Sequence, residues 1–320
     1  MGPGTHPAPR RERGVALITA VLIVALATIL AINVTFRGMV DQRRSSNLIT
    51  FDQGFEVALG AEAWAADFLR QDAQDSQQDH FGEAWAQSMP PLPIDEGVGT
   101  VEGRLEDMQG RFNVNNLVFT DGTPNDAAIK QLERILTMLE IEPTWATAIA
   151  DWIDADVNPG FPDGAEDTVY TGLDPPHLAA NMPVTRASEL LQLPEFGGER
   201  YRRLQPFVTA LPVGTKLNVC TASGIVLDSL FENQRQFSLM NPEELGERRK
   251  EACFPTLEDV RGTLGQTGFD QIQGTLAESS SYFRATVWVT IGTTQFTLYS
   301  LLAREGAGSI QPVLRSFGAE

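Results

Sequence analysis

Side chains that carry chemistry are scarce in this sequence. Its three histidines, His6, His80 and His177, are scattered, and no HExxH, nucleophile elbow or phosphate loop occurs. Catalysis therefore has no motif to rest on, and paired carboxylates occur only in one acidic cluster. Cysteine is limited to Cys220 and Cys253, with no CxxC, which leaves no zinc motif. Positive charge is short as well: 24 Lys and Arg face 42 Asp and Glu, for a net charge of −18. Such a surface repels phosphates and argues against a nucleic-acid partner. It suits divalent cations, basic partners or simple solubility. No internal repeat or low-complexity segment stands out.

What is present begins with a single long apolar run, Gly14 to Phe36, with no charge between Arg13 and Arg37. As a helix, Val15 to Phe36 spans roughly 33 Å, enough to cross a hydrocarbon core of ~30 Å. Its polar residues, Thr19, Thr28, Asn33 and Thr35, can be satisfied against backbone or neighbours. A plain membrane anchor is one reading. A secretory signal is another, because Ala25-Leu26-Ala27 follows a basic region, but the apolar run continues well past Ala27.

The junction Arg10-Arg11-Glu12-Arg13-Gly14, followed at once by Val15-Ala16-Leu17-Ile18, resembles the prepilin-peptidase site of type IV pilins and type II secretion pseudopilins. Cleavage is expected between Gly14 and Val15, with methylation of the new terminus implied by the same resemblance. The processed chain would then stand near −20, since the leader holds three Arg against one Glu. Counting Val15 as the first mature residue, the fifth position holds Thr19 where most pilins carry Glu. That carboxylate normally neutralises a neighbouring terminal ammonium inside an apolar bundle, where an unpaired charge is expensive. Its absence beside a VALIT opening resembles the minor pseudopilin K of type II secretion, the GspK family.

Downstream, Leu48 to Leu69 keeps a helical apolar period, and a Pro-rich turn at Met89-Pro90-Pro91-Leu92-Pro93 closes the helical region. Thr100 to Asp107 alternates as a strand, and Tyr282 to Ile291 does so again, with a hairpin at Gly292-Thr293-Thr294 and a final strand over Ser309 to Phe317. Between them the pattern is helical. The expected fold is α+β: a pilin-like N-terminal helix packed on a small antiparallel sheet, with a large all-α domain inserted between the strands. The expected boundaries are leader 1–14, membrane helix 15–37, spine and first strands 38–119, inserted α domain 120–270 and closing strands 271–320.

The densest acidic stretch runs Asp151-Trp152-Ile153-Asp154-Ala155-Asp156-Val157-Asn158-Pro159-Gly160-Phe161-Pro162-Asp163-Gly164-Ala165-Glu166-Asp167. Hard cations such as Ca²⁺ want six to eight oxygens, which closely spaced Asp and Asn side chains and turn carbonyls supply. Asp154-x-Asp156-x-Asn158 imitates the start of an EF-hand loop, but Pro159 replaces its glycine and Glu166 falls one place late. Another calcium loop and an acidic turn region both fit these residues. The family resemblance favours calcium: its members carry a DW-DAD…GAED-Y stretch at a calcium site, which Asp151, Asp154, Asp156, Glu166, Asp167 and Tyr170 match. Metal ligation is assigned to Asp151, Asp154, Asp156, Glu166 and Asp167.

A second stretch, Leu217-Asn218-Val219-Cys220-Thr221-Ala222-Ser223, resembles one half of a helix-hairpin-helix, but its Gly-x-Gly hairpin is missing. Cys220 and Cys253 are expected to pair if the body lies outside the cytoplasm; two unrelated buried thiols are the alternative. The resemblance covers nearly the whole chain, through VALIT, FGEAW, GRFNVNNLV, DWIDAD, GAED, LNVCTAS and the last strand pair. It implies a non-enzymatic subunit of the inner membrane with a periplasmic body, at the tip of the pseudopilus. The implied partners are the I- and J-type minor pseudopilins and the major pseudopilin, with the H type, a secreted substrate and the secretin as further candidates. The competing classes are a calcium-dependent membrane-anchored enzyme and a helix-hairpin-helix nucleic-acid binder.

Overall fold

The structure, a computed structural model, describes residues 12–94, 99–232, 235–305 and 308–318, with side chains from Val15 onward. The leader as far as residue 11 lies outside the described residues. The chain divides into two units, Met1–Glu56 and Val57–Glu320.

The first unit is helical from Glu12, the start of α1 (Glu12–Asp75), so Gly14 and Val15 both fall within α1. Its apolar side chains from Val15 to Phe36 are exposed, and the helix is long enough to cross a membrane and holds an 18-residue stretch with a mean hydropathy of 3.0. The threonines are satisfied inside the helix: Thr28 Oγ1 donates to Val24 O at 2.8 Å and Thr35 Oγ1 to Ala31 O at 2.9 Å. This is how a hydroxyl survives in an apolar medium without a partner from elsewhere.

In the second unit, α1 buries Ala58, Glu62, Ala66 and Leu69, positions that recur on one face at the helical period. Beyond it come β1 (Met89–Ile94), β2 (Gly99–Asp107) and, after the inserted block, β7 (Tyr282–Ile291), β8 (Thr294–Glu305) and β9 (Ser309–Phe317). These five strands form one antiparallel sheet in the order β1-β2-β7-β8-β9. Small side chains let helix and sheet approach: Ala58 packs with Val287, Val289 and Leu298, while Ala66 and Leu69 pack with Phe283, Ala285, Leu302 and Trp85. Burying a side chain such as Leu69 or Phe283 contributes roughly 1.5–3 kcal/mol.

The proline run departs from expectation. Met89–Ile94 is not a turn but the edge strand β1, paired with β2 through Leu92↔Val101, Pro93↔Thr100 and Ile94↔Gly99. An edge strand needs hydrogen bonds on one side only, so three prolines without N–H groups are tolerated and block further pairing.

Because β2 pairs with β7 along its whole length, from Gly99↔Ile291 to Asp107↔Phe283, everything between Asp107 and Tyr282 is an excursion from one hairpin-like pair. Apart from two ladders of two residues each, β3 (Phe112–Asn113) with β4 (Val208–Thr209) and β5 (Leu217–Asn218) with β6 (Leu276–Ala277), the excursion is helical. It contains α2 (Asp126–Met138), α3 (Trp145–Ile153), α4 (Asp167–Tyr170), α5 (Gly197–Leu204), α6 (Gly224–Asp228), α7 (Pro242–Glu251) and α8 (Leu257–Ile272). Its core is its own, built on Leu132, Ile135, Leu136, Ile149, Ile153, Tyr170, Phe196 and Leu204. The asparagines of GRFNVNNLV hold its loops. Asn115 Nδ2 donates to Val184 O and Leu211 O at 2.9 and 2.8 Å, and its Oδ1 accepts from Val184 N at 2.9 Å.

Candidate metal site and the hinge of the inserted block

The acidic stretch begins on α3. Asp151 and Asp154 are three residues apart and so share a helix face, and α3 ends where Asp154 turns extended (φ −68°, ψ 171°). The chain then loops out and returns at Glu166, directly before α4. Asp151 holds this loop: its Oδ2 accepts from Gly160 N at 3.0 Å and Ala165 N at 2.9 Å. The loop is so tight around that carboxylate that a Cβ on Gly164 would lie 2.3 Å from Asp151 Oδ2 and 2.4 Å from Gly160 O.

One oxygen each from Asp154, Asp156 and Glu166 lies within 4.8 Å of the others. Asp154 and Glu166 are buried and Asp156 is exposed, which gives a site closed below and open to solvent on one side. The other two predicted ligands are placed differently. Asp151 shapes the loop through its backbone bonds, and Asp167 Oδ1 accepts from Ala179 N at 3.0 Å.

Asp154 Oδ1, both oxygens of Glu166 and the Tyr170 hydroxyl are buried without a hydrogen-bond partner among the described residues. Leaving such groups unmade costs roughly 1–3 kcal/mol each, and more when charged. Burial, reinforced by Asp156 and Asp151, pushes the Asp154 carboxyl up to about 6. Burial together with Asp151, Asp154, Asp156 and Asp167 pushes Glu166 up to about 7. A hard divalent cation answers both faults, since it takes oxygen lone pairs and offsets crowded negative charge. These residues fit Ca²⁺.

Trp152 and Tyr170, part of the DW-DAD…GAED-Y stretch, line the site, and sequence reasoning missed His177 and Asn181 beside them. Trp152 and Tyr170 meet edge to face with centroids 4.9 Å apart, and His177 lies 5.4 Å from Tyr170. Asn181 Nδ2 reaches back to Asp156 O at 3.0 Å. Nothing in the spacing of His177 or Asn181 marks them, because folding of the long connection after α4 brings them in.

LNVCTAS lies where the inserted block meets the sheet. Asn218 Nδ2 lies within hydrogen-bond distance of Asp107 Oδ2 (2.9 Å), Ser280 Oγ (3.0 Å) and Asp79 O (3.0 Å), and Thr221 Oγ1 donates to Asp107 Oδ2. Asp107 ends β2 and Ser280 precedes β7, so this buried network closes the mouth of the excursion. Ser223 then caps α6 by accepting from Val226 N at 3.3 Å. Asn218, Val219, Cys220 and Thr221 are all buried, so the middle of the stretch is closed to phosphate. Cys220 and Cys253 form a disulfide with Cα atoms 4.6 Å apart, tying this stretch to the end of α7.

Comparison with known proteins agrees with this architecture. The family model described as type II secretion system (T2SS), protein K, matches residues 110–213. The type II secretion system protein K of Pseudomonas aeruginosa is 36% identical over 97% of this chain and 94% of its own length. That of Aeromonas hydrophila is 32% identical over 93% of this chain and 95% of its own. In structure, the chain is similar to one in the crystal structure of the GspK-GspI-GspJ complex from the enterotoxigenic Escherichia coli type 2 secretion system. The TM-score is 0.75 at 23% identity, covering 87% of this chain and all (100%) of that one. Full-length similarity at this level, on a spine helix, five-stranded sheet and helical excursion, means that the chain belongs to the type II secretion system protein K family.

Proposed function

We propose that this chain is the minor pseudopilin at the tip of the type II secretion pseudopilus, where it helps initiate and cap the filament. The carrying observation is the pairing of β2 directly with β7, which makes the whole block from Met108 to Ser281 a lateral excursion from a pilin-sized sheet. A filament packs small heads around a bundle of spine helices. A head with an added domain of this size would clash with a subunit above it and is accommodated only where none follows.

Thr19 supports the same reading. Its hydroxyl donates to Val15 O at 3.1 Å and Ala16 O at 3.0 Å, so it is satisfied within its own helix. A first subunit has no terminal ammonium above it to neutralise, and loss of the fifth-position carboxylate costs it nothing. The mature chain starts at Val15, spans the inner membrane once through α1 and carries its body in the periplasm. It acts as a structural subunit and not as an enzyme. Its partners are the I- and J-type minor pseudopilins, and Ca²⁺ held by Asp154, Asp156 and Glu166 stiffens the loop of the inserted block.

Immunogold labelling of assembled pseudopili tests the position. Label confined to one end supports it, and label spread along the shaft overturns it. Intact mass of the membrane-extracted protein tests the processing: a retained leader, or cleavage near Ala27, refutes the Gly14–Val15 site.

A further inference from the structure

A second group of carboxylates sits away from the loop site, where the end of α1 meets the sheet. Asp72 comes from the last turn of α1, Asp79 and Glu83 from the connection that follows, and Arg304 from β8. One oxygen from each carboxylate lies within 4.8 Å of one from each of the others. The Asp72 and Asp79 side chains are 9% and 2% exposed.

Among the described residues, the N–H donors that reach each carboxylate meet one of its two oxygens. Asp72 Oδ2 accepts from Arg304 Nη1 at 3.2 Å. Asp79 Oδ2 accepts from Ser280 N at 2.6 Å and from Arg304 Nη2. Glu83 Oε2 accepts from His80 N at 2.9 Å and from the Trp85 indole at 2.8 Å. Asp79 Oδ1 is buried and has no hydrogen-bond partner among the described residues. Asp79 thus keeps one buried oxygen uncommitted beside the carboxyls of Asp72 and Glu83. One guanidinium cannot balance three carboxylates if all are ionised, and the side chains of two of them, Asp72 and Asp79, are nine-tenths or more buried.

We propose that Asp72, Asp79 and Glu83 form a second site for a hard divalent cation, Ca²⁺ being the best fit, which locks the end of the spine helix onto the sheet. Carboxylate oxygens select such ions, and the remaining ligands of a six- to eight-oxygen shell would be water and backbone carbonyls. Arg304 is the brace that fixes two of the ligands through their Oδ2 atoms, in the manner of groups that orient metal ligands elsewhere. The site is distinct from the loop site, so one can fail without the other.

The test uses the full-length protein in detergent with Tb³⁺ as a luminescent stand-in and ⁴⁵Ca²⁺ equilibrium dialysis as the count. The loop site is first disabled with Asp154→Asn combined with Glu166→Gln. That variant is expected to keep one bound cation and a Tb³⁺ emission excited through Trp85, whose indole touches Glu83. Adding Asp72→Asn should weaken the remaining binding at least tenfold. Adding Trp85→Phe instead should leave ⁴⁵Ca²⁺ bound while the emission falls several-fold, and circular dichroism checks that each variant is folded. A loop-site variant that binds no cation at millimolar Ca²⁺ overturns the proposal, because a proton shared between Asp72 and Asp79 would then be what relieves their repulsion. Residual binding indifferent to Asp72→Asn overturns it equally. Wild-type binding lost through Asp72→Asn alone would instead remove the loop site and leave this one standing.

Discussion

Glu62 on the spine helix and Arg315 on the last strand are joined by two parallel hydrogen bonds, Arg315 Nε to Glu62 Oε2 at 2.8 Å and Arg315 Nη2 to Glu62 Oε1 at 2.7 Å. Ser300 Oγ on β8 donates to the same carboxylate. Glu62 lies on the buried face of α1, between Ala58 and Ala66, with its side chain only 6% exposed. An ionised carboxylate there is tolerable only because a planar fork of donors meets it.

Removing Arg315 should therefore cost more than an ordinary surface ion pair. Arg315→Ala leaves Glu62 buried and uncompensated, and a loss of about 2–4 kcal/mol is expected. Adding Glu62→Gln in the same chain should recover part of it. Urea denaturation of the two variants measures both. An Arg315→Ala effect within about 0.5 kcal/mol of zero, the usual range for exposed surface changes, would contradict this account.

Calcium at the loop site should show as thermal stability. At one hundred times its dissociation constant, a ligand adds about 2.7 kcal/mol. For a body of this size that corresponds to a rise in melting temperature of roughly 5–10 °C, which chelation should remove. Gly164→Ala should abolish the response to chelator, since its Cβ would fall 2.3 Å from Asp151 Oδ2 and force the loop open. A melting temperature unchanged by EGTA, together with purified protein free of metal, would refute the site.

Asp107 provides a pH test. Burial pushes its carboxyl up to about 6, against the pull of hydrogen bonds from Thr221, Ser280 and Gln109. A carboxyl whose pKa is higher folded than unfolded takes up its proton more readily in the folded state. Its stabilising contribution is fully present below about 3.8, the unfolded value, and is lost as pH rises through about 6. Relative to Asp107→Asn, which cannot titrate, the wild type should gain stability between pH 7 and pH 4. Melting temperatures of the pair at both pH values decide it; a flat or opposite difference would refute the shift.

The disulfide between Cys220 and Cys253 spans 33 residues of sequence. Restricting that loop in the unfolded chain contributes about 3–4 kcal/mol in the entropic account. The Cys220→Ser, Cys253→Ser pair should be destabilised by that order in denaturant. Two reactive thiols in denatured, unreduced protein would show that the bond does not form.

Much of this architecture is legible residue by residue. The apolar run of α1, the alternation of β2 and β7, the turn at Gly292 and the clustering of Asp151 with Asp154 all follow from the 3.6- and 2-residue periods of the backbone. They need nothing distant. The prolines of β1 were misleading because proline both ends helices and tolerates a sheet edge, and only the presence of β2 alongside decides which.

Other features exist only once the chain has closed on itself. Asp79 and Arg304 are separated by 225 positions, Glu62 and Arg315 by 253, and Asn218 and Asp107 by 111. No local period links such residues. What joins them is the cost of burying a charge or an amide without a partner, which helix, sheet and inserted block can avoid only by meeting at those points. Local backbone geometry thus determined which elements this sequence forms, including the helix long enough to span a membrane and the acidic loop. Tertiary burial decided which strands pair, which carboxylates face one another, and which of the predicted ligands shape the loop while others stand with oxygens free for a cation.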